Sequence, residues 1–252
     1  MLNRPVALIT GVSRKIGIGY AIALKLAENG WDVALTCFRP YDESQSWGSS
    51  DNDLDDLKIE LESLGARVFM IEADLSQVNM PKDIFETVNS EMGNVQALVI
   101  SHCRSFDSSI ENTTVEEFGL HFSVNTRSVW LLIREFAKQF DANYGDGRII
   151  ALTSGAIVNN IPYGASKGAM DRIVLAAAEE FRDLGITANV INPGPTDTGW
   201  INDALRVEIL KSTFLNRIGM PEDCANLVNF LCSKEGGWIN GQLIESNGGL
   251  KK

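Results

Sequence analysis

The chain has 252 residues, a formal net charge of −11, and 44% hydrophobic and 22% charged residues. This length suits one large α/β domain, and the balance is that of a globular protein. The acidic excess excludes a nucleic-acid partner, which needs a basic surface, and disfavours a broad docking face for an acidic protein. No stretch approaches the ~20 apolar residues that span a bilayer, so no membrane role is expected. The opening stretch lacks the long apolar core of a signal peptide, and a cytoplasmic location is expected. Cys37, Cys103, Cys224 and Cys232 form no C-x-x-C pair. With only two histidines beside them, no metal site is expected, and reduced thiols are the better reading.

Short β-branched runs alternate with amphipathic stretches along the whole chain. A strand at Val6–Thr10 leads into a glycine-rich turn and a helix over 19–29. A strand at 33–37 follows, then a polar stretch at 39–53 that reads as a long loop, and a helix over 54–64. Next come a strand at 68–71, a helix over 81–92, a strand at 97–100 and one long helix over 115–143. A strand at 149–153, a helix over 162–184, a strand at 187–191 and a last strand ending at 241–246 complete the pattern. Strands apolar on both faces, separated by helices, predict a single-domain Rossmann-type doubly wound parallel α/β sheet of about seven strands over residues 1–252.

Between Thr10 and Gly19 stand Gly11, Gly17 and Gly19, directly after the first strand. Such glycines permit a tight turn and let backbone approach a pyrophosphate, which then faces the positive end of the following helix. Asp74, at the end of the third strand, can accept from an adenine amino group or cap a helix. An acid ending the second strand would hold the adenosine ribose of NAD, but the run there is Thr36-Cys37-Phe38-Arg39 with no acid until Asp42. Arg14 and Arg39 are candidates to pair with a 2′-phosphate, which favours NADP(H), with NAD(H) as the alternative.

Tyr163 and Lys167 are four residues apart. On a helix they share one face, and an ammonium beneath a phenol favours the phenolate, so the pair can carry acid/base chemistry near neutrality.

With these pieces in order, the chain resembles the short-chain dehydrogenases/reductases along nearly its whole length. The matching pieces are Thr10-Gly11, Gly17 and Gly19, Asp74, Asn125, Ser154, Tyr163 with Lys167, Asn192-Pro193-Gly194, and Asn247-Gly248-Gly249. Within the family it looks most like the 3-oxoacyl-acyl-carrier-protein reductases of fatty acid biosynthesis. The resemblance implies a catalytic set of Asn125, Ser154, Tyr163 and Lys167. Tyr163 would be the general acid or base, and Lys167 would lower its pKa and hold the nicotinamide ribose. Ser154 would hydrogen-bond the carbonyl oxygen, with Thr153 as the fallback, and Asn125 would hold a water leading to Lys167. It also implies a cofactor set of Gly11, Ser13, Arg14, Gly17, Ile18, Arg39, Asp74, Leu75, Ser101, Tyr163, Lys167, Pro193, Gly194, Thr196 and Thr198. A lid over the substrate around 197–217 and a homotetramer are further expectations from the resemblance.

Three departures from the family pattern stand out. Five residues separate Gly11 from Gly17, which lengthens the turn. Ile100-Ser101-His102-Cys103 stands where the family carries Asn-Asn-Ala-Gly, and Cys103 is expected to crowd the site. Ser154 lies nine residues before Tyr163, closer than usual, which reshapes the loop bordering the substrate. The expected activity is NADP-dependent hydride transfer between nicotinamide and a carbonyl or secondary alcohol. The substrate is a small ketone, keto ester or sugar-like carbonyl, or a 3-oxoacyl thioester. The acidic chain, and Leu184 where carrier-dependent relatives carry a basic residue, weigh against the thioester. The alternatives are a non-catalytic NADP-binding regulatory protein of the same fold and an NAD-dependent alcohol dehydrogenase.

Overall fold

Strand β1 (Val6–Thr10) is buried throughout, and its side chains alternate between two cores. Val6 and Leu8 join Phe136 and Val174 on one face, while Ala7 and Ile9 join Leu26 and Val228 on the other. A strand apolar on both faces needs helices on both sides. The computed structural model describes residues 4–250 and places such helices around one seven-stranded parallel sheet. Residues 1–3, the start of the opening stretch read above, lie outside the described residues, as do 251–252.

The chain continues through α1 (Ile18–Glu28), β2 (Asp32–Cys37), α2 (Arg39–Glu43), α3 (Asp51–Ser63), β3 (Val68–Glu72) and α4 (Met80–Met92). Then come β4 (Val95–Ile100), α5 (Val115–Phe122), a π-helical turn (Ser123–Arg127), α6 (Ser128–Gln139) and β5 (Arg148–Leu152). The last elements are α7 (Ile161–Glu180), β6 (Thr187–Asn192), α8 (Asp203–Ser212), α9 (Pro221–Cys232) and β7 (Leu243–Glu245). The strand order is β3-β2-β1-β4-β5-β6-β7, so the direction of winding reverses between β1 and β4. Ligands of open α/β sheets bind at that switch point, outside the carboxyl ends of the strands. Helices α4, α6 and α7 cover one face and α1, α3 and α9 the other.

Three expectations are corrected. The polar stretch 39–53 is not a plain loop: Pro40 stands in the first turn of α2, where its fixed φ suits a helix, and α3 already begins at Asp51. The helix over 115–143 is three pieces, because a π turn interrupts it around Asn125 and α6 stops at Gln139. A one-residue bulge is invisible to hydrophobic periodicity, and such bulges gather at functional sites. The helix over 162–184 ends at Glu180, followed by a short 3₁₀ turn, with Gly185 in the left-handed conformation.

Candidate active site

The glycine turn is dictated by close approach of the backbone. Gly11 has φ +75°, and a β-carbon there would lie 2.5 Å from the Cα of His102 at the end of β4. At Gly19 a β-carbon would meet the Gly11 carbonyl at 2.8 Å. Gly17 caps α1, donating to the Arg14 carbonyl at 2.9 Å, and Ile18 is the first residue of that helix. Ser13 Oγ accepts from the Phe38 N–H at 3.3 Å, which ties the turn to the end of β2.

His102 is buried and fully hydrogen-bonded beside Cys103, the residue expected to crowd the site. Its ring bridges Thr10 Oγ1 (2.7 Å from Nδ1) and the Val124 carbonyl (3.0 Å from Nε2). Burial pushes its pKa down to about 3, assisted by the nearby Lys167 charge, so the ring is neutral. A carbonyl only accepts, so Nε2 carries the proton and Nδ1 accepts from the Thr10 hydroxyl. Thr10 Oγ1 accepts in turn from the Ser101 and His102 N–H groups at 3.2 and 3.4 Å. The main chain of His102 passes close against the bare Cα of Gly11.

The π turn aims Asn125 at the loop after β4. Its Oδ1 accepts from the Arg104 N–H (2.7 Å), and its Nδ2 donates to the Arg104 carbonyl (2.8 Å) and to Ser166 Oγ on α7 (2.9 Å). The side chain thus clamps loop to helix. The same loop is stitched to the one after β5, since Asn160 Nδ2 donates to Ser105 Oγ and to Asp107 Oδ1, both at 3.0 Å.

On α7, Tyr163 and Lys167 share one face, with Nζ 6.0 Å from the ring centroid. The buried Lys167 donates to the Leu152 carbonyl at 2.7 Å. Burial pushes its pKa down, and Cys103 and Asp171 oppose that shift. The Tyr163 phenol is pushed up, first by burial and then by Cys103, while the Ser154 hydroxyl bonded to it acts the other way. This differs from the expectation that Lys167 lowers Tyr163, because the ammonium is directed to the end of β5. Ser154 faces the phenol, whereas Thr153 is buried toward Asp171, as side-chain alternation requires.

The remaining cofactor candidates divide between two places. Gly194 has φ +66°, and a β-carbon there would lie 2.5 Å from Asn247 Cβ, so the Pro193-Gly194 turn rests on the terminal Asn247-Gly248 turn. Thr196 Oγ1 donates to the Gly194 carbonyl, and the Thr198 carbonyl accepts from Arg14 Nη1 at 3.0 Å. On the other side, Asp74 accepts from Ser76 N–H and Gln77 Nε2, which hold its pKa low against the opposing effect of burial, while Leu75 is buried. Arg39 pairs with Glu72 at 2.9 Å and Arg14 with Asp42 at 3.3 Å, so each arginine proposed for a phosphate faces a carboxylate. Tyr41, Asp42, Trp47 and Asp171 also stand at the site and were not singled out from the sequence. Only Asp171 carried a signal, its helical spacing of four residues from Lys167. Among the described residues, no group of three His, Cys, Asp or Glu could hold a metal ion, and no helix is long and apolar enough to cross a membrane.

A glycine turn ahead of α1, a topological switch point between β1 and β4, and a Ser–Tyr–Lys group beyond the end of β5 define a dinucleotide-dependent oxidoreductase class. Residues 11–251 match the family model described as enoyl-(acyl carrier protein) reductase. An uncharacterized oxidoreductase of Bacillus subtilis, YjdA, is 34% identical over 250 residues, covering 97% of this chain and 96% of that protein. The NADPH-dependent aldehyde reductase-like chloroplastic protein of Arabidopsis thaliana is 33% identical over 255 residues, covering 97% and 93%. The 3-oxoacyl-[acyl-carrier-protein] reductase FabG of Staphylococcus epidermidis is 32% identical over 251 residues, covering 97% and 98%. Among solved structures, a blue fluorescent protein from a metagenomic library in complex with NADPH superposes with a TM-score of 0.86 at 29% identity, covering 100% and 99%. The chain belongs to the short-chain dehydrogenase/reductase family.

Proposed function

We propose that the protein is an NADP(H)-dependent reductase of small, apolar carbonyl compounds. The observation that carries this reading is the convergence of Ser154, Tyr163 and Lys167 at the carboxyl end of β5, beside the switch-point crevice. The residues present fit a dinucleotide: the turn has no room for a β-carbon at Gly11 or Gly19, and the first turn of α1 carries no acid to oppose a phosphate. Gly11, Ser13, Arg14, Gly17, Ile18, Ser101, Asp74 and Leu75 would hold the adenosine diphosphate end, with Arg39 at its edge. Pro193, Gly194, Thr196, Thr198, Tyr163 and Lys167 would hold the nicotinamide end. The bound reduced nicotinamide supplies the hydride.

The raised Tyr163 pKa keeps the phenol protonated at neutrality, so its Oη delivers a proton to the carbonyl oxygen. Ser154 Oγ donates to the same oxygen as negative charge builds there. Lys167, buried beneath and anchored on the Leu152 carbonyl, would hold the nicotinamide ribose, and Asn125 holds the loop on which the substrate rests.

The apolar preference follows from the rim. Phe106, Ile157, Val158 and Trp200 are exposed in loops after β4, β5 and β6. The nearby arginines are paired, Arg104 with Glu117 and Arg206 with Asp197. This leaves little to grip an acidic carrier protein, although a 3-oxoacyl thioester stays within reach of the chemistry. Helix α8 would act as a lid, and the exposed Trp130 face of α6 would lie within a homotetramer. The test is NADPH and NADH oxidation over a panel of ketones, aldehydes and acyl thioesters. Turnover of apolar ketones that Tyr163→Phe abolishes supports the reading; tight NADPH binding with no turnover on any carbonyl defeats it.

A further inference from the structure

Two sets of contacts cross the switch-point crevice without using the catalytic group. The first begins after β2, where Tyr41 Oη donates to the Ser105 carbonyl and accepts from the Ser105 N–H, both at 3.2 Å. Ser105 follows β4, and β1 lies between β2 and β4, so this contact passes over the end of β1. The second centres on Arg14 in the glycine turn. Its Nε lies 3.3 Å from Asp42 Oδ1, its guanidinium sits 4.7 Å above the Trp47 ring, and its Nη1 reaches the Thr198 carbonyl. Thr198 follows β6, so Arg14 spans the ends of β4 and β5. Trp47 Nε1 donates to the same Asp42 oxygen at 3.0 Å, and Asp42 is only 7% exposed. Residues 39–47 therefore lie as a strap across the crevice in which such sheets bind their ligands.

We propose that this strap is a gate over the dinucleotide cleft, in which Asp42 occupies Arg14 until a ligand phosphate displaces it. The inference rests on the proposed function, which makes Arg14 a phosphate ligand. An arginine–carboxylate pair can be exchanged for an arginine–phosphate pair with the same fork of donors. The two Tyr41 bonds go to main-chain groups that water satisfies on opening, so their net hold is modest. Gly48 supplies a pivot at the far end of the strap: its φ is +67°, and nothing lies within 4 Å of where its β-carbon would stand. Asp42 competes only with a ligand that uses Arg14. It therefore tempers binding of a dinucleotide bearing a 2′-phosphate more than one bearing a free 2′-hydroxyl.

The test is stopped-flow binding of NADPH and NADH, together with hydrogen exchange of the amides of 39–47. A gate that opens before binding makes the observed rate constant of the wild type level off as NADPH rises. Tyr41→Phe, which keeps the ring and removes the hydroxyl, should lift that plateau about five-fold or more. Asp42→Asn should tighten NADPH about ten-fold and NADH distinctly less. In the wild type, the 39–47 amides should exchange faster with NADPH bound. The gate is overturned by a rate that stays linear and is unmoved by Tyr41→Phe, by Asp42→Asn weakening NADPH, or by unchanged or greater protection of 39–47. If neither nucleotide binds to wild type or variants, the proposed function falls and the gate with it. Binding with no effect of either variant removes the gate alone.

Discussion

On the β4–β5 side Asn125, Lys167 and His102 each hold a main-chain carbonyl of the folded core, whereas on the β1–β2 side the two arginines are paired with carboxylates. Asn125 bonds both the N–H and the carbonyl of Arg104, Lys167 bonds the Leu152 carbonyl, and His102 bonds the Val124 carbonyl. Arg14 and Arg39 answer to Asp42 and Glu72, and the Arg39–Glu72 pair is substantially exposed. Backbone partners inside a folded core cannot leave, so the first set is preorganised for chemistry. Side-chain partners near solvent can be exchanged for a ligand, at little cost in stability. Rigidity is concentrated around the proposed proton donor, and exchangeability at the arginines proposed to meet a phosphate.

The catalytic side should break most sharply. Tyr163→Phe removes the proposed proton donor, and kcat should fall by about 10²–10⁴. Binding of NADPH, followed by its fluorescence, should persist, which separates lost chemistry from lost fold. Asn125→Ala comes next. It leaves the part-buried Arg104 N–H without its acceptor and takes one partner from Ser166 Oγ, for a cost of about 1–3 kcal/mol in urea unfolding. A loss below about 1 kcal/mol would mean the loop is held by other contacts.

How much of this was legible in the sequence follows the same divide. Gly11, Gly17, Tyr163 and Lys167 were readable because spacing alone determines what they can do: a glycine turn before a helix, and two side chains on one helical face. The strand alternation of β1 was readable for the same reason. The π turn at Asn125 was hidden because it shifts register by a single residue within an otherwise regular helical pattern. The strap was hidden because Tyr41, Asp42 and Trp47 act through Ser105 and Arg14, distant in sequence, and no local period reports such contacts. Crowding was expected at Cys103, whereas the close approach in this segment is between the His102 main chain and Gly11, which follows β1 and is distant in sequence.

A pH dependence sharpens the comparison from the buried side. The folded pKa of His102 is about 3 against a model-peptide value of 6.5, so the unfolded chain binds the extra proton between those values. Its stabilising contribution is whole above pH 6.5 and is lost progressively as pH falls toward 3. Relative to His102→Gln, the wild type should lose up to about 1.4 kcal/mol per pH unit in that window, measured by urea unfolding at stepped pH. Parallel profiles for the two proteins would show that the ring is charged in the fold or already unprotonated outside it.

The exposed side should yield least. Arg39→Ala removes a pair whose side chains are 40% and 41% exposed, so Coulomb attraction is screened and both chains regain rotamer freedom. Stability should change by no more than about 0.5 kcal/mol. NADPH affinity, in contrast, should weaken several-fold at low salt and converge on the wild-type value as salt rises, because the lost interaction is a screened charge contact. A stability loss as large as that of Asn125→Ala would place Arg39 among the fixed groups and erase the distinction between the two sides. A loss of affinity that salt does not reduce would put Arg39 in a dry, bidentate contact with the phosphate, and the exchangeable character of this side would then belong to Arg14 alone.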